Sequence, residues 1–146
     1  MLDIQPMIVA DAMEIKRQAS QRVQLGLERE MTPEIAQDLI HGGEAWTILR
    51  DGVPIACVGL RETFPPVQGV AWAILADGIG GAHLTITRFA RRRIAESPLI
   101  RIEAIVKCDH PADVLWAKLV GLAPIALLRK FGAASEDHML FERIRG

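Results

Sequence analysis

The hydrophobic pattern of the N-terminal third predicts a strand followed by two helices. Leu2 to Val9 is a short apolar run typical of a strand. Asp11 can cap a helix that runs to about Glu30, with apolar residues along one face at helical spacing. These residues are Ile15, Ala19, Val23 and Leu27. Thr32-Pro33-Glu34 begins a second helix, because a hydroxyl cap precedes proline at the first helical position. At His41-Gly42-Gly43 we expect glycine to permit a left-handed exit.

The pattern changes to strands in the middle of the chain. Glu44 to Arg50 and Val53 to Glu62 are β-rich runs separated by Asp51-Gly52, the strongest short hairpin signal in the sequence. Pro65-Pro66 ends the second run. Val67 to Leu75 is mostly apolar, which predicts a further strand buried on both faces.

A glycine-rich turn, Ala76 to Gly81, then leads into a helix expected from about Ala82 to Ala95. Five residues of this helix are predicted to face inward because they recur at helical spacing. They are Ala82, Ile86, Phe89, Ala90 and Ile94. Leu99 to Lys107 predicts the next strand.

The C-terminal third predicts a broken helix and a closing strand. Asp109-His110-Pro111 begins the helix, and His110 is a candidate cap. Gly121 and Pro124 should break or kink it, so we expect two helical pieces ending near Phe131-Gly132. Asp137 to Arg145 is the closing strand. The alternation of elements predicts one α/β domain over residues 1–146.

Composition excludes several classes of protein. The chain has 146 residues, half of them hydrophobic, which suffices for a single core and excludes intrinsic disorder. A net charge of −1 disfavours a generic polyanion-binding protein. Cys57 and Cys108 are too distant in sequence for a metal motif, and the four histidines show no i, i+4 pair, so we expect no metal. There is no signal-like N-terminus and no apolar run of roughly 20 residues, so we predict a cytoplasmic domain with no membrane partner.

Candidate chemistry lies in the turn that contains Gly78-Ile79-Gly80-Gly81. Glycines between a strand and a helix let backbone N–H groups approach an anion, and the helix dipole adds positive charge there. The alternative is a tight turn that needs glycine for positive φ and binds nothing. No lysine follows as a P-loop requires, and the glycine spacing differs from the dinucleotide fingerprint.

The order of elements and this loop together resemble the GNAT superfamily of acyl-coenzyme A N-acyltransferases. Trp46 to Ala56 is similar to the family's second and third strands, where hairpins of this kind recur. Leu127 to Ala133 is similar to its usual helix end, and Asp137 to Arg143 to its closing strand. The resemblance implies a mixed, mostly antiparallel α+β sheet flanked by helices, in which Val67 to Leu75 and Leu99 to Lys107 form a splayed parallel pair.

The resemblance also implies a ligand and a reaction. The loop would hold the pyrophosphate of acetyl-coenzyme A or another acyl-coenzyme A, and the strand edge before it would pair with the pantetheine amides. The implied cofactor-binding residues are Ile74, Leu75, Ala76, Gly78, Ile79, Gly80, Gly81 and Ala82. The acyl group, expected to be acetyl, would pass to a small-molecule or protein amine by direct attack, and the chain could form a homo-oligomer. The alternative is a non-catalytic structural or interaction module with this fold, for example in a phage particle.

Two features depart from the family pattern. Leu75 stands where the family has a glutamine or arginine that supports the loop. The chain has no tyrosine, although a tyrosine after the fifth strand often protonates the leaving thiolate in the family. Cys108, Asp109 and His110 fall near that place.

The candidate catalytic residues are Glu62 and Glu103, because the attacking amine needs a base within reach. For Glu103 the alternative is an outward strand residue paired with Arg101 or Lys107, and for Glu62 a solvated loop charge.

The one dense basic cluster could meet the 3′-phosphate of coenzyme A or a nucleic acid, or it could simply face water. It comprises Arg88, Arg91, Arg92 and Arg93. With seven aromatic residues and none interleaved with these arginines, the sequence does not favour nucleic-acid binding.

Overall fold

The computed structural model describes residues 1–15 and 31–146, which form a mixed sheet with helices on both faces. The strands are β1 (Leu2–Pro6), β2 (Ala45–Arg50), β3 (Val53–Phe64), β4 (Gln68–Leu75), β5 (Arg101–Lys107), β6 (Ala123–Phe131) and β7 (Glu136–Ile144). The helices are α1 (Val9–Glu14), α2 (Pro33–His41), α3 (His83–Glu96) and α4 (Pro111–Leu119), with a 3₁₀ turn (Gly80–Ala82) before α3. The predicted continuation of the first helix, with Ala19, Val23 and Leu27, lies outside the described residues.

The strand order is β1-β2-β3-β4-β5-β7-β6, and β4 and β5 are the parallel pair in an otherwise antiparallel sheet. This confirms the predicted fold class. The β2–β3 hairpin is also confirmed: Asp51 and Gly52 have φ angles of 51° and 81°. Two central residues at positive φ match the twist of paired strands, which explains the Asp-Gly sequence at this turn.

The helices divide between the two faces of the sheet. On one face, Thr47 of β2 donates a hydrogen bond of 2.7 Å to Asp11 of α1, and Arg61 of β3 pairs with Asp38 of α2 at 2.7 Å. We call this the α1–α2 face. On the other, the Trp46 ring meets Phe89 of α3 edge-on at 5.8 Å. The same face carries α4, whose Ala117 and the following Val120 pack with buried residues of α3 and β5, and we call it the α3–α4 face.

The inward positions predicted for α3 are confirmed. Ala82, Ile86, Ala90 and Ile94 are buried and Phe89 is half-buried. Large side chains that are fully enclosed stabilise the fold by about 1.5–3 kcal/mol each. They include Ile48, Ile74, Ile86, Ile102 and Phe141.

Helix α2 begins as predicted but ends differently. Thr32 Oγ1 accepts a hydrogen bond of 3.2 Å from the Ile35 N–H. The predicted left-handed exit is wrong, because Gly42 has a right-handed φ of −76° and Gly43 is extended. Glycine is needed at position 43 because the backbone there lies close to β3, and a Cβ would overlap the Leu60 carbonyl oxygen.

The predicted second helical piece after Gly121 is also wrong. Helix α4 ends at Leu119, Gly121 adopts a φ of 101°, and the chain continues as β6, paired with β7. Pro124 is tolerated because β6 is an edge strand. The stretch that resembled a helix end, Leu127 to Ala133, is the end of β6 and the turn to β7, so that part of the resemblance is corrected.

Candidate active site

The central feature of the site is the short pairing between β4 and β5. Their ladder consists of three residue pairs, Gln68 with Arg101, Gly69 with Ile102 and Val70 with Glu103. Strand β4 nevertheless continues to Leu75, and β5 to Lys107. The two strands therefore diverge beyond the ladder, and a cavity of about 530 Å³ lies there.

This cavity crosses the sheet. On β4 it is lined by the consecutive residues Trp72 and Ala73, and on β5 by Ile105 and Val106. Because successive side chains of a strand point to opposite faces, the cavity connects the α1–α2 face with the α3–α4 face. A ligand entering from one face can meet a second ligand that enters from the other.

Most of the lining is apolar, and most of its charged side chains form ion pairs; the exception is Asp113, whose buried Oδ2 has no hydrogen-bond partner among the described residues. Arg93 Nε lies 2.6 Å from Glu44 Oε1, and Arg61 lies 2.7 Å from Asp38. Glu136 Oε2 lies 2.8 Å from the buried Lys107 Nζ. The hydrogen bond from Lys107 to Glu136 raises the pKa of Lys107, as that from Arg93 to Glu44 raises the pKa of Arg93.

The edge of β4 that faces the opening can be identified from two hydrogen bonds. Val67 O accepts from Ile100 N–H at 2.8 Å on the β5 side, and Ala76 N–H donates to Ile55 O at 2.9 Å on the β3 side. Peptide groups alternate along a strand, so Ala73 directs its N–H and C=O toward the opening and Ile74 directs its own toward β3. Ile74, one of the residues at which the sequence analysis expects a ligand to meet the main chain, therefore has its peptide group on the β3 side.

The glycine-rich loop continues directly from β4. Gly78 and Gly80 have φ angles of 71° and 46°, which favour glycine. A Cβ added at Gly78, Gly80 or Gly81 would meet nothing within 4 Å, so space is open above the loop. Helix α3 begins there, with no acidic residue in its first turn and no side-chain cap at Ala82. The N–H groups of Ala82 and His83 donate to Ile79 O and Gly80 O within the 3₁₀ turn. The open loop before them and the positive end of the helix dipole suit an anion such as a pyrophosphate.

The loop is supported from a distant strand. Arg50, the last residue of β2, donates hydrogen bonds of 3.2 Å to Gly78 O and to Ile79 O. A cationic side chain therefore braces the loop although Leu75 replaces the family's glutamine or arginine. Sequence reasoning missed Arg50 because the contact spans 28 and 29 residues.

The two carboxylates predicted as bases lie beside the cavity but do not line it. Glu103 accepts hydrogen bonds from Gln68 Nε2 at 2.6 Å and from Arg101 Nε at 3.1 Å, which is the ion-paired alternative. Glu62 is half-buried where β3 has an irregular register, and its N–H donates to Gly42 O at 2.7 Å.

A histidine that the sequence analysis did not single out does line the cavity. His138 of β7 is 6% exposed, and its Nδ1 lies 2.9 Å from the main-chain oxygen of Glu136. A carbonyl only accepts, so this contact assigns the proton to Nδ1, and the neutral ring then carries its lone pair on Nε2. The sequence signal was a histidine inside the predicted closing strand, Asp137 to Arg145.

The arginine cluster of α3 is divided between two roles. Arg91 donates a hydrogen bond of 2.7 Å to Leu119 O at the end of α4, and Arg93 pairs with Glu44. Arg88 and Arg92 are exposed. His110 makes no side-chain cap of α4, so that prediction is wrong.

Neither a metal cluster nor a membrane-spanning helix occurs in the part of the chain that the structure describes. Within residues 1–15 and 31–146, no three side chains of the types His, Cys, Asp and Glu come together to hold a metal ion. No helix in these ranges combines the length and apolar character that a membrane span requires.

No protein-family model and no curated protein sequence matches this chain. Solved structures do match. A GNAT-family acetyltransferase from Bacillus anthracis aligns with a TM-score of 0.68 and 11% identity, over 98% of this chain and 94% of that one. A Salmonella typhimurium protein, provisionally assigned as an acetyltransferase and solved with its cofactor acetyl-CoA, aligns with a TM-score of 0.78 and 13% identity, over 99% and 94%.

A spermidine N-acetyltransferase from Vibrio cholerae, solved in complex with CoA and spermine, aligns with a TM-score of 0.72 and 16% identity. That alignment covers 98% of this chain and 95% of the other. At these identities the likeness shows the fold, which is the GNAT fold that the resemblance predicted.

Proposed function

We propose that this chain is an acyl-coenzyme A-dependent N-acyltransferase that transfers an acyl group, in the simplest case acetyl, to a primary amine. The observation that carries the proposal is the cavity that crosses the sheet where β4 and β5 diverge. Acyl transfer by direct attack needs two substrates to meet in a place shielded from water, each with its own entrance. A channel between the two faces of the sheet meets that need.

The donor enters along β4. The α3 N-terminus and the loop from Ala76 to Ala82 hold the pyrophosphate, with Gly78, Ile79, Gly80 and Gly81 supplying backbone N–H groups. The peptide group of Ala73 lies on the edge of β4 that faces the opening, where an extended pantetheine arm can add to the strand. The residues present fit this ligand for two reasons. The space above the loop glycines is open, and Arg50 holds the loop in place by donating hydrogen bonds to the carbonyl oxygens of Gly78 and Ile79.

The acceptor enters from the α1–α2 face, where His138 acts as the base. The Nε2 lone pair takes a proton from the ammonium form of the acceptor, which leaves a neutral amine, and the Glu136 carbonyl oxygen stabilises the resulting imidazolium through Nδ1–H. The thioester supplies an acyl carbon open to attack by the neutral amine, with coenzyme A leaving as the thiol. The second amine proton goes to the departing sulfur, which is consistent with a chain that has no tyrosine.

We place the reaction in the cytoplasm and in a single catalytic domain. Both cysteines are unbridged, as expected in a reducing compartment.

The experiment tests ligand binding at the loop and ligand binding in the channel separately. Ala73→Trp should fill the opening, so acetyl-CoA binding should weaken at least tenfold by calorimetry. Adenosine 3′,5′-bisphosphate, which lacks the pantetheine arm, should bind the variant and the wild type equally. The matched control is Ala123→Trp, which places the same ring at the exposed start of the edge strand β6 and should change neither affinity. Equal acetyl-CoA affinity for wild type and Ala73→Trp would overturn the proposed path.

A further inference from the structure

We propose that the edge strand β6 pairs antiparallel with β6 of a second copy of this chain, so that two sheets join across a twofold axis at Leu127. The partner at this surface is therefore the same chain, and each copy presents the same residues to the other. The pairing does not depend on the reaction proposed above.

An apolar surface surrounds the outer edge of β6. We call it the β6 surface, and it comprises Leu115, Leu119, Ile125, Leu127 and Phe131. Each of these side chains is between 42% and 57% exposed. Leu127 is the register partner of Met139, which packs with residues of α3 and α4, so Leu127 lies on the α3–α4 face beside the two leucines of α4. Apolar side chains grouped in this way mark a protein interaction site.

The main chain of Leu127 faces away from β7. Cys108, which follows β5, donates its N–H to Asp137 O at 3.0 Å, so the odd-numbered residues of β7 direct their peptide groups to β5 and the even-numbered ones to β6. His138 is the register partner of Leu128, so these two residues form hydrogen bonds across the β6–β7 ladder. Leu127, one residue earlier, therefore directs its N–H and C=O outward, where another strand can add.

The opposite edge of the sheet is closed by its own sequence. Met7 N–H donates to Ala45 O at 3.0 Å, so Ile4 and Pro6 of β1 face outward. The Ile4 N–H donates to Asp3 Oδ1 at 3.0 Å, and Pro6 has no N–H. Occupied or missing donors and a charged side chain prevent edge pairing at β1. The apolar β6 is therefore the edge of the described sheet that is suited to another strand.

The charges of β6 favour a twofold axis at Leu127. The register with β7 is irregular on both sides of Ala126–Leu128, which restricts regular pairing to the middle of the strand. The charged residues of β6 are Arg129 and Lys130, near its end. An axis at Leu127 places Arg129 opposite the partner's Ile125 and about 14 Å along the strand from the partner's Arg129, beyond the Debye length of about 8 Å in physiological salt. An axis at Arg129 would place the two guanidinium groups opposite each other.

The size of the surface suits a homodimer. A standard interface buries about 800 Å² and 20–30 residues per partner. That area is roughly a tenth of the accessible surface of 8051 Å², and α4, β6 and their connection, residues 111–131, supply about 20 residues. Phe131 also lines the cavity and meets the His138 ring edge-on at 5.3 Å, so the second copy would border the candidate active site.

Sedimentation equilibrium tests the pairing. The wild type should be a dimer at micromolar concentration. Leu127→Lys places two ammonium groups opposite each other at the axis, so the dissociation constant of the dimer should rise at least tenfold. Val53→Lys, at an exposed apolar residue that begins β3, is the matched control and should leave the dissociation constant unchanged. Circular dichroism verifies that both variants fold.

Disulfide cross-linking tests the register without adding a charge. In a Cys108→Ala background, Leu127→Cys should form a disulfide between copies, since opposed residues of a hydrogen-bonded antiparallel pair have Cα atoms about 5.5 Å apart. Ala123→Cys, more than about 20 Å from its counterpart, should stay reduced. A wild type that remains a monomer, which would leave the β6 surface to a different partner, overturns the proposal. So does a dimer that Leu127→Lys does not weaken, or a cross-link at position 123 in place of 127.

Discussion

The Arg50 guanidinium donates a hydrogen bond of 3.2 Å to the main-chain oxygen of Ile79, and so ties the end of β2 to the loop that precedes α3. A second bond of 3.2 Å reaches Gly78 O. These hydrogen bonds keep the loop in one conformation before a ligand binds. The loss of conformational entropy on binding is therefore smaller.

Arg50→Met should therefore weaken acetyl-CoA binding without unfolding the protein. Both hydrogen bonds are in an exposed or partly buried place, where each contributes about 0.5–1.5 kcal/mol. If both contributions are lost from the bound state, the Kd should rise about 5- to 160-fold. Isothermal calorimetry measures the change. Arg129→Met, at an exposed position of the edge strand β6, is the control, and equal affinities for the two variants would show that Arg50 does not support the site.

Gly80→Trp should abolish acetyl-CoA binding and leave the protein folded. A side chain at Gly80 meets open space, at a φ of 46°, so it costs conformational strain of about 1 kcal/mol and covers the anion site. Gly121→Trp introduces the same ring at another positive-φ glycine in open space, outside the loop. Calorimetric titration of both variants should show binding to the second alone; retained binding by Gly80→Trp would rule out the loop as the phosphate site.

His138→Gln should lower kcat by about 10²-fold or more, because general base catalysis contributes about 10²–10⁴-fold to such reactions. The Kd for acetyl-CoA should not change, since His138 lies on the acceptor side. Imidazole added to His138→Ala should restore part of the rate by entering the space that the ring leaves.

His41→Gln, at the end of α2, controls for general effects of losing a histidine. If His138→Ala kept its full kcat, or if imidazole gave no recovery in a variant that still folds and binds acetyl-CoA, His138 would not be the base.

The stability of the fold should fall as the pH rises above about 9. Burial raises the pKa of the Cys57 thiol from 9.0 to about 12, so the folded state keeps the proton that the unfolded state loses above pH 9. The contribution is fully present below pH 9 and decreases by up to about 1.4 kcal/mol per pH unit as the pH rises toward 12.

Urea unfolding between pH 8 and pH 10 measures this slope, and in that window Lys107 stays charged because its own pKa is raised from 10.5. Cys57→Ala should flatten the pH dependence. Cys108→Ala, at the half-buried cysteine, should flatten it less. If the free energy of unfolding changed equally with pH in the wild type and in Cys57→Ala, the Cys57 thiol would not be the source of the pH dependence.

Elements marked by local signals could be predicted from the sequence. The Asp51-Gly52 turn and the Thr32-Pro33 helix start depend on the conformational preferences of adjacent residues, and the structure has both. The region from Gly121 to Phe131 could not be assigned this way, because glycine and proline mark a kinked helix and a turn to an edge strand equally well. This segment is a strand because it pairs with β7, and that pairing is a tertiary interaction.

The chemically important side chains were harder to predict, because their roles depend on contacts between distant strands. Glu103 is a carboxylate in the predicted strand next to the cavity. Its Oε1, however, already accepts hydrogen bonds from Gln68 and Arg101. His138 looks like an ordinary strand residue in the sequence, and it lines the cavity because β4 and β5 diverge. That divergence follows from the register of three residue pairs, which no local pattern encodes.

Thermal unfolding with and without millimolar acetyl-CoA tests the central claim most directly. A ligand that binds only the folded state at a hundredfold excess over its Kd stabilises that state by about 2.7 kcal/mol, which raises the Tm by several degrees. We predict such a shift for the wild type and none for Gly80→Trp. An unchanged wild-type Tm at saturating acetyl-CoA would contradict the account and favour a structural or interaction module with the same fold.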